Sequence, residues 1–193
     1  MKRLFLHFSL FCTALLAVPN CVQTVAPVVP GLVLAEQLSL EGVDNLHRVS
    51  PELYRSAQPT PLGFSSLQAQ GVRSVLNLRE YHNDDWRAAH TNLKLMEYPM
   101  AASRVTEQDV ENCLRMIAEA PKPVLVHCWH GSDRTGIIVA AWRVVFGNRT
   151  VEEAEAEFRT ERYGYHDFWY SNLTDLLRNT DWDAMRARLQ AKK

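Results

Sequence analysis

A short apolar run, followed by a polar loop and then by an almost wholly apolar helix, constrains the fold of this chain most. Residues 124–126, Val-Leu-Val, follow two prolines, and an unbroken apolar triplet is typical of a strand covered on both faces. Residues 135–146 contain a single charged side chain, Arg143, which predicts a helix buried on nearly all sides. A central strand that leads into a buried helix requires a layered domain in which helices pack on a sheet.

Strands and helices alternate along the rest of the chain after residue 35. Short β-compatible runs predict strands, at residues 45–49, 53–56, 73–78 and 94–98. Further helices are predicted at residues 61–70, after a Thr106 cap, after a Thr150–Glu153 capping box, and twice in the C-terminal tail. This order predicts a single α/β domain with a short central, mostly parallel sheet flanked by helices.

The N-terminal segment differs in composition from the rest. Lys2 and Arg3 precede a 15-residue apolar run at 4–18 and are the only charged residues before Glu36. This pattern is typical of a secretory signal peptide and is short for a membrane span. The small residues that end at Ala35 predict release there, with residues 1–35 as an export leader and 36–193 as the folded domain. The protein is therefore expected to be exported, either periplasmic or secreted; the alternative is a buried core helix.

The charge balance restricts the partners. The chain has 21 Lys and Arg against 22 Asp and Glu, a formal net charge of −1, and loss of Lys2 and Arg3 with the leader makes it −3. No basic excess remains to neutralise a nucleic-acid backbone, so nucleic acid is not an expected partner. Membrane contact is expected only through an uncleaved leader, and the sequence predicts no particular oligomeric state.

The cysteines do not form a disulfide framework. Two of the four, Cys12 and Cys21, lie in the predicted leader, which leaves Cys113 and Cys128. Cys113 falls on the apolar face of the helix that follows Thr106, together with positions 110, 114 and 117, so it is predicted to pack in the core. The alternative is a reversible disulfide with Cys128 that protects this second thiol from irreversible oxidation.

The loop between the apolar strand and the buried helix has the features of an anion site. Residues 127–136 read His-Cys-Trp-His-Gly-Ser-Asp-Arg-Thr-Gly. A strand-loop-helix junction turns backbone N–H groups and the positive end of a helix dipole toward one point. Gly131 permits a tight loop, and Arg134 supplies a two-pronged donor that matches phosphate oxygens. The same environment favours a thiolate at Cys128, which would be a nucleophile beneath a bound phosphorus.

The loop sequence resembles the signature of the cysteine-dependent phosphatases, in which a Cys is followed by five residues and then by Arg and Thr. Here these residues are Cys128, Arg134 and Thr135. Residues 53–59, Leu-Tyr-Arg-Ser-Ala-Gln-Pro, and 71–79, Gly-Val-Arg-Ser-Val-Leu-Asn-Leu-Arg, are similar to the early part of the atypical dual-specificity members. The resemblance therefore extends over most of residues 36–193. It implies a catalytic domain of the protein tyrosine phosphatase type that hydrolyses phosphotyrosine, and phosphoserine or phosphothreonine as further substrates, in a phosphorylated protein or a small phosphoester.

The resemblance also assigns roles to the loop residues. Cys128 attacks phosphorus to give a phosphocysteine, which water then hydrolyses. Thr135 hydrogen-bonds the thiolate, and His127 orients the loop. No metal or cofactor is implied; His127 and His130 alone are too few for a zinc site. The phosphate oxygens are bound by the side chain of Arg134 and by the loop amides of Trp129, His130, Gly131, Ser132, Asp133 and Arg134.

The general acid is not at its usual place. Family members carry an Asp about thirty residues before the Cys, where it can protonate the leaving oxygen, but residues 98–105 contain no acidic side chain. Asp133 resembles an Asp in the loops of myotubularins and Sac-type phosphoinositide phosphatases, and it is the first candidate. The reserve candidates are Asp84, Asp85, Glu107 and Asp109.

Several alternatives remain open at this point. Asp133 also suggests an inositol-phosphate or phosphoinositide phosphatase, which the charge of −3 disfavours because polyanions need positive surroundings. The vacant acid position leaves a catalytically silent phosphate-binding module open, and a cysteine hydrolase ranks lower because it needs no Arg at this spacing. Trp129 is expected either at the pocket entrance or packed on the domain. Arg55 and Arg79 are expected either in solvent or supporting the pocket.

Overall fold

A computed structural model describes residues 29–191 of the chain. Most of the predicted leader, residues 1–28, lies outside the described residues, as do the last two positions. Within the described part of the chain, no helix has both the length and the apolar content needed to cross a membrane.

A six-stranded mixed sheet forms the centre of the domain, in the order β1-β2-β3-β6-β4-β5. The four strands β3, β6, β4 and β5 are parallel, and β1 and β2 are antiparallel additions at one edge. The prediction of a mostly parallel sheet is confirmed. The strands are β1 (Glu36–Gln37), β2 (His47–Ser50), β3 (Leu53–Ser56), β4 (Ser74–Asn77), β5 (Lys94–Glu97) and β6 (Val124–His127).

Helices cover both faces of the sheet. The side chains of β6 alternate between two cores: Val124 and Val126 pack with the large cluster formed by helices α2 to α6, whereas Leu125 packs with α1. The central strand is therefore covered on both sides, as its unbroken apolar sequence predicts. The helices are α1 (Pro61–Ala69), α2 (Glu107–Glu119), α3 (Asp133–Val145), α4 (Val151–Phe158), α5 (Asp167–Asn179) and α6 (Trp182–Gln190).

The predicted helix starts are confirmed by their caps. Thr106 and Asp109 form a reciprocal capping box at the start of α2, and Thr150 with Glu153 forms another at α4. Helix α3 is buried along almost its whole length. Its one interior charge, Arg143, is neutralised by an ion pair with Glu157 at 2.8 Å.

The differences from prediction are confined to the ends of elements and to short pieces. The predicted strands at 45–49, 73–78 and 94–98 are each displaced or shortened by one or two residues. The two-residue strand β1 is too short for any sequence pattern to reveal. Helix α5 contains a non-helical residue, Tyr170, where two helical pieces meet.

Ala35, the predicted end of the leader, is packed into the domain. Its side chain is buried, and its amide donates hydrogen bonds to Glu157 Oε1 at 3.1 Å and to the Tyr163 hydroxyl at 3.2 Å. Cleavage after Ala35 stays a prediction. If it occurs there, it removes these two hydrogen bonds from the mature domain.

The parallel strands β3, β4 and β6 end side by side. Ser56 of β3 and Asn77 of β4 both pair in register with His127, the last residue of β6. In open α/β sheets, binding sites lie beyond the carboxyl ends of such strands. This edge of the sheet therefore places the loop after His127 at the centre of the candidate site.

Candidate active site

The loop after β6 makes a close turn that only glycine permits at one position. Gly131 has a φ of +73°, and a Cβ on this residue would lie 2.4 Å from the carbonyl oxygen of Ser56. Both the positive φ and the close approach to β3 exclude a side chain. The structure thus explains why the tight loop predicted from the sequence requires glycine at position 131.

Three successive carbonyl groups of the loop are held from outside. The carbonyl oxygen of Trp129 accepts from the backbone N–H of Gln58 at 3.1 Å, that of His130 from Asn45 Nδ2 at 2.9 Å, and that of Gly131 from Arg55 Nη2 at 2.7 Å. In a trans peptide the N–H of the next residue points the opposite way. The loop amides are therefore directed inward, which is the arrangement of an anion-binding nest.

Arg55 is a structural support of this loop rather than a solvated side chain. Only 1% of its surface is exposed, and its guanidinium lies over the ring of Tyr163, 4.1 Å from the ring centre. A buried cation needs such partners, because leaving it without them is costly. Of the two alternatives for Arg55, support of the pocket is the one that the structure favours.

A buried His–Asp pair lies beneath the nucleophile position. His127 Nε2 is 2.8 Å from Asp84 Oδ2, and Asp84 Oδ1 accepts from Gln58 Nε2 at 2.8 Å. Burial acts to raise the pKa of Asp84, but the hydrogen bonds from His127 and Gln58 outweigh it and hold the pKa below its ordinary value. On its other side, His127 Nδ1 is 3.2 Å from the carbonyl oxygen of Cys128. Asp84 is thus a carboxylate under the loop, with its oxygens engaged in these contacts.

Cys128 is 2% exposed, and its surroundings carry positive charge. Burial lowers the pKa of the Arg55 and Arg79 guanidinium groups. A negative charge on the Cys128 sulfur acts to raise the pKa of both groups. Both cations therefore lie within electrostatic range of this sulfur. The Thr135 hydroxyl is buried and has no hydrogen-bond partner among the described residues. It is therefore free to donate to a thiolate, as the resemblance implies.

A cavity of about 470 Å³ opens beside the loop. Arg134 lines one wall, and its Nη1 donates a hydrogen bond to the carbonyl oxygen of Met100 at 3.3 Å. Arg79 covers another, with its guanidinium 4.3 Å from the ring centre of Trp129. Trp129 and His130 are both exposed at the entrance. The cavity is lined by residues 79–82 and 101–103 and by Trp129, His130, Asp133, Arg134 and Tyr170.

Among the five carboxylates considered from the sequence, Asp133 is the one that lines this cavity. Asp109 caps α2 and accepts from the Tyr98 hydroxyl at 2.9 Å. Glu107 pairs with Arg188 at 2.9 Å. Asp85 is exposed and accepts from Asn83.

The segment after β5 faces the cavity as the family pattern requires, but it presents only small side chains there. Residues 101–103, Ala-Ala-Ser, line the cavity wall. The position without an acidic residue that the sequence predicts thus lies on the cavity wall. A carboxylate that sequence analysis missed, Glu80, lines the cavity too and pairs with Arg104 at 3.3 Å.

His166 is a second residue that the sequence did not reveal. Its Nδ1 lies 3.0 Å from Asp133 Oδ2 and 3.1 Å from Oδ1, and its backbone amide donates to Oδ1 at 2.9 Å. Thirty-three positions separate the two residues, so no local pattern connects them. Among residues 29–191, no cluster of three His, Cys, Asp or Glu side chains is arranged to hold a metal ion.

Fold and site together define a cysteine-dependent phosphatase: a thiol at the end of a central parallel strand, an amide-lined loop, and an arginine at the start of the next helix. A family model described as "DSP-PTPase phosphatase fused to NAD+ Kinase" matches residues 31–170. The chain belongs to this dual-specificity phosphatase family, whose members are hydrolases.

Relatives agree with this assignment. The dual specificity protein phosphatase TpbA of Pseudomonas aeruginosa is 32% identical over 171 residues, which cover 86% of this chain and 75% of that protein. A crystal structure of TpbA in complex with pTyr has a TM-score of 0.74 at 28% identity and covers 86% of this chain and all of the other. An inositol diphosphatase of Arabidopsis thaliana is 29% identical over 110 residues, 52% of this chain and 54% of that protein.

Proposed function

We propose that this protein hydrolyses phosphotyrosine in phosphorylated polypeptides through a phosphocysteine on Cys128. The observation that carries the proposal is the loop whose carbonyl groups are held outward by Arg55, Asn45 and Gln58. Such a loop presents its amides to an anion without rearrangement, which is the condition for strong electrostatic stabilisation of a transition state. The pTyr complex of TpbA supports the same substrate class.

The first step is the attack of the Cys128 sulfur on phosphorus. The S–P bond forms as the bond from phosphorus to the leaving oxygen breaks, and this oxygen takes a proton from an acid. The fork of Arg134 and the loop amides bind the three equatorial oxygens. Arg55 and Arg79 lie within electrostatic range of the sulfur, and Thr135 donates a hydrogen bond to it.

The second step is hydrolysis of the phosphocysteine. A water molecule loses a proton to a base as its oxygen attacks phosphorus, and the S–P bond breaks to return the thiolate and release phosphate. We propose Asp133 as the acid of the first step and the base of the second, because it lines the cavity next to Arg134. His127 and Asp84 hold the backbone at Cys128 in place.

The cavity lining favours an aromatic phosphoester. Tyr81, Trp129 and Tyr170 line the same cavity as Arg79 and Arg134. An aryl ring that enters behind its phosphate would contact these aromatic side chains. A polyphosphorylated inositol would instead bring several negative charges next to the carboxylates of Glu80 and Asp133, which also line the cavity. The Arabidopsis thaliana relative nevertheless makes an inositol phosphate the second candidate substrate.

A substrate panel tests the proposal. The full chain is assayed with p-nitrophenyl phosphate, a phosphotyrosine peptide, the same peptide with phosphoserine, and an inositol polyphosphate, each beside the Cys128→Ser variant. We expect the phosphotyrosine peptide to have the highest kcat/KM of the three biological substrates, and the variant to be inactive on all of them. A higher kcat/KM for the inositol polyphosphate would instead assign the protein as an inositol-phosphate phosphatase. Binding of phosphate without any turnover would indicate a catalytically silent binding module.

We also propose that the protein acts outside the cytoplasm. The support is the charged start and 15-residue apolar run of its N-terminal segment. Expression with a C-terminal tag followed by cell fractionation tests this proposal. Tagged protein in the periplasm or medium is expected for the natural sequence, and Leu15→Arg in the apolar run should retain it in the cytoplasm.

A further inference from the structure

The proposed phosphatase reaction needs a proton donor, and the usual position for it holds no acidic residue. Residues 101–103 occupy the facing wall with Ala-Ala-Ser. The carboxylate in the loop, Asp133, is not isolated: both of its oxygens lie within 3.1 Å of His166 Nδ1, and the backbone amide of His166 donates to Oδ1. Two titratable side chains in direct contact can hold a proton jointly.

We propose that His166 and Asp133 share one proton and act as a single acid–base unit, in which Asp133 faces the substrate and His166 is the positioning residue behind it. This inference rests on the proposed phosphatase function. It assigns to two residues the task that the family resemblance implies for one Asp on the preceding loop. The order of the two side chains follows from their places, because Asp133 lines the cavity and His166 contacts Asp133 from the segment before α5.

The proton balance of this unit closes over one turnover. At the start, the pair holds one proton between His166 Nδ1 and Asp133. When the leaving oxygen separates from phosphorus, it takes this proton from the Asp133 carboxyl, and the pair is left as a neutral imidazole and a carboxylate. In the hydrolysis step, Asp133 removes a proton from the attacking water, and the pair regains its proton. No further reactant is required.

Exposure suits the two roles. The Asp133 side chain is 10% exposed, whereas that of His166 is 44% exposed. His166 can therefore exchange protons with solvent while Asp133 remains in the cavity. The ring of His130, in the phosphate loop, lies 5.7 Å from that of His166, between centroids. Arg134 and Tyr170 line the cavity together with Asp133, and the charge of Asp133 acts on the Tyr165 hydroxyl. Asp167, the residue after His166, pairs with Arg159.

Leaving groups of different basicity separate this role from mere structural support. Loss of a general acid costs about 10²-fold or more on an alkyl phosphate, whose leaving oxygen needs a proton, and little on p-nitrophenyl phosphate, whose leaving oxygen does not. We expect Asp133→Asn and His166→Ala each to lower kcat/KM for the phosphoserine peptide by about this factor, with kcat/KM for p-nitrophenyl phosphate within about threefold of the natural protein. The comparison uses kcat/KM because it reports the first step alone, whereas hydrolysis of the phosphocysteine is common to both substrates. The double variant should be no worse than Asp133→Asn, because residues that act as a unit are not additive.

The pH profile provides a readout that a structural role would not move. The high-pH limb of kcat for the phosphoserine peptide should disappear in Asp133→Asn. It should move to lower pH in His166→Ala, because a lone carboxyl releases its proton at lower pH than an imidazolium. Imidazole in the buffer should restore turnover to His166→Ala and leave Asp133→Asn unchanged. The matched control is His90→Ala, an exposed histidine outside the cavity, which should behave as the natural protein.

Several results would overturn the inference while leaving the phosphatase assignment intact. These are equal losses on the two substrates in His166→Ala, an unmoved pH limb in this variant, or additive losses in the double variant. If p-nitrophenyl phosphate is not hydrolysed by the natural protein, or if Cys128→Ser retains activity on it, the proposed function itself fails.

Discussion

The domain buries two cysteines, and they lie in opposite electrostatic surroundings. Cys113, in the middle of α2, is fully buried; burial raises the pKa of its thiol, and the nearby carboxylate of Asp109 raises it further. Cys128 is almost as inaccessible, but the guanidinium groups of Arg55 and Arg79 lie within electrostatic range of its sulfur. Burial and a neighbouring carboxylate thus favour the neutral thiol of Cys113, whereas two guanidinium groups lie within electrostatic range of the Cys128 sulfur.

The difference shows that burial alone does not make a cysteine inert. Both side chains belong to the same large apolar cluster. What separates them is the charge of their neighbours and the cavity beside the phosphate loop. Cys113 packs in the core, as its place on the apolar face of α2 predicts. Both thiols are free in the structure, and the alternative of a reversible disulfide between them is untested.

Replacement of each cysteine by serine should give the largest contrast. Cys128→Ser removes the nucleophile and is expected to lower kcat/KM for p-nitrophenyl phosphate by at least about 10⁴-fold. Cys113→Ser places a hydroxyl in the apolar core, so it should cost about 1–3 kcal/mol in the free energy of unfolding and leave kcat within about twofold. Activity assays and urea titrations of the two variants measure both effects. A similar loss of activity in both variants would remove the distinction between the two thiols.

Replacement of Arg134 tests whether the charge or the planar shape of its guanidinium stabilises the transition state beside Cys128. Arg134→Lys retains the charge and loses the planar fork, so kcat/KM should fall by about 10²–10³-fold. Arg104→Lys is a matched control, because Arg104 is a more exposed arginine that pairs with Glu80 at 3.3 Å. It should change kcat/KM by less than about twofold. Full activity in Arg134→Lys would contradict the role assigned to the guanidinium.

The support behind Cys128 should make the domain sensitive to acid. His47 packs edge-on against Tyr163, the ring that carries Arg55. Burial lowers the pKa of His47 to about 4, so the side chain is neutral in the folded state. The unfolded chain binds this proton from pH 6.5 downward, and the free energy of unfolding should therefore fall by roughly 3 kcal/mol between pH 6.5 and 4.

Urea titrations at pH 7 and pH 4.5 measure this loss. His47→Gln should remove most of the pH dependence, whereas His90→Gln, at an exposed position, should retain it. An unchanged slope in His47→Gln would show that acid acts on another part of the molecule.

An acidic residue introduced on the cavity wall opposite the phosphate loop should produce the smallest change in kcat, and this change is an increase. Ser103 lines the cavity opposite the phosphate loop. In the background of Asp133→Asn, Ser103→Asp should restore kcat for the phosphoserine peptide by about tenfold, because general acid catalysis needs only reach and a suitable protonation state. Ser103→Asn in the same background is the control. Equal rates for the two variants would show that this wall does not reach the leaving oxygen.

Local patterns in the sequence were sufficient for the strand, the loop and the helix caps. The apolar triplet 124–126, Gly131 and the Thr150–Glu153 pair each act through neighbours in sequence, so their roles could be predicted. The spacing of Asp109 from Thr106 also indicates its capping role, which engages this carboxylate at the start of α2.

Contacts between distant elements could not be predicted in this way. His127 meets Asp84 across 43 positions, and Asp133 meets His166 across 33. Arg55 reaches Gly131 across 76. These contacts depend on how the parallel strands order themselves in the sheet and on where α5 begins. Period and spacing along the chain do not determine either property.

In the proposed reaction, the Cys128 sulfur is the atom that receives the phosphoryl group. The most direct test is rapid mixing of the natural protein with a phosphotyrosine peptide, a denaturing quench, and mass spectrometry of the fragments. We expect the added mass of one phosphoryl group on the fragment that contains Cys128, and none on the fragment that contains Cys113. A phosphoryl group on any other residue, or rapid turnover with no phosphorylated fragment at any quench time, would contradict it.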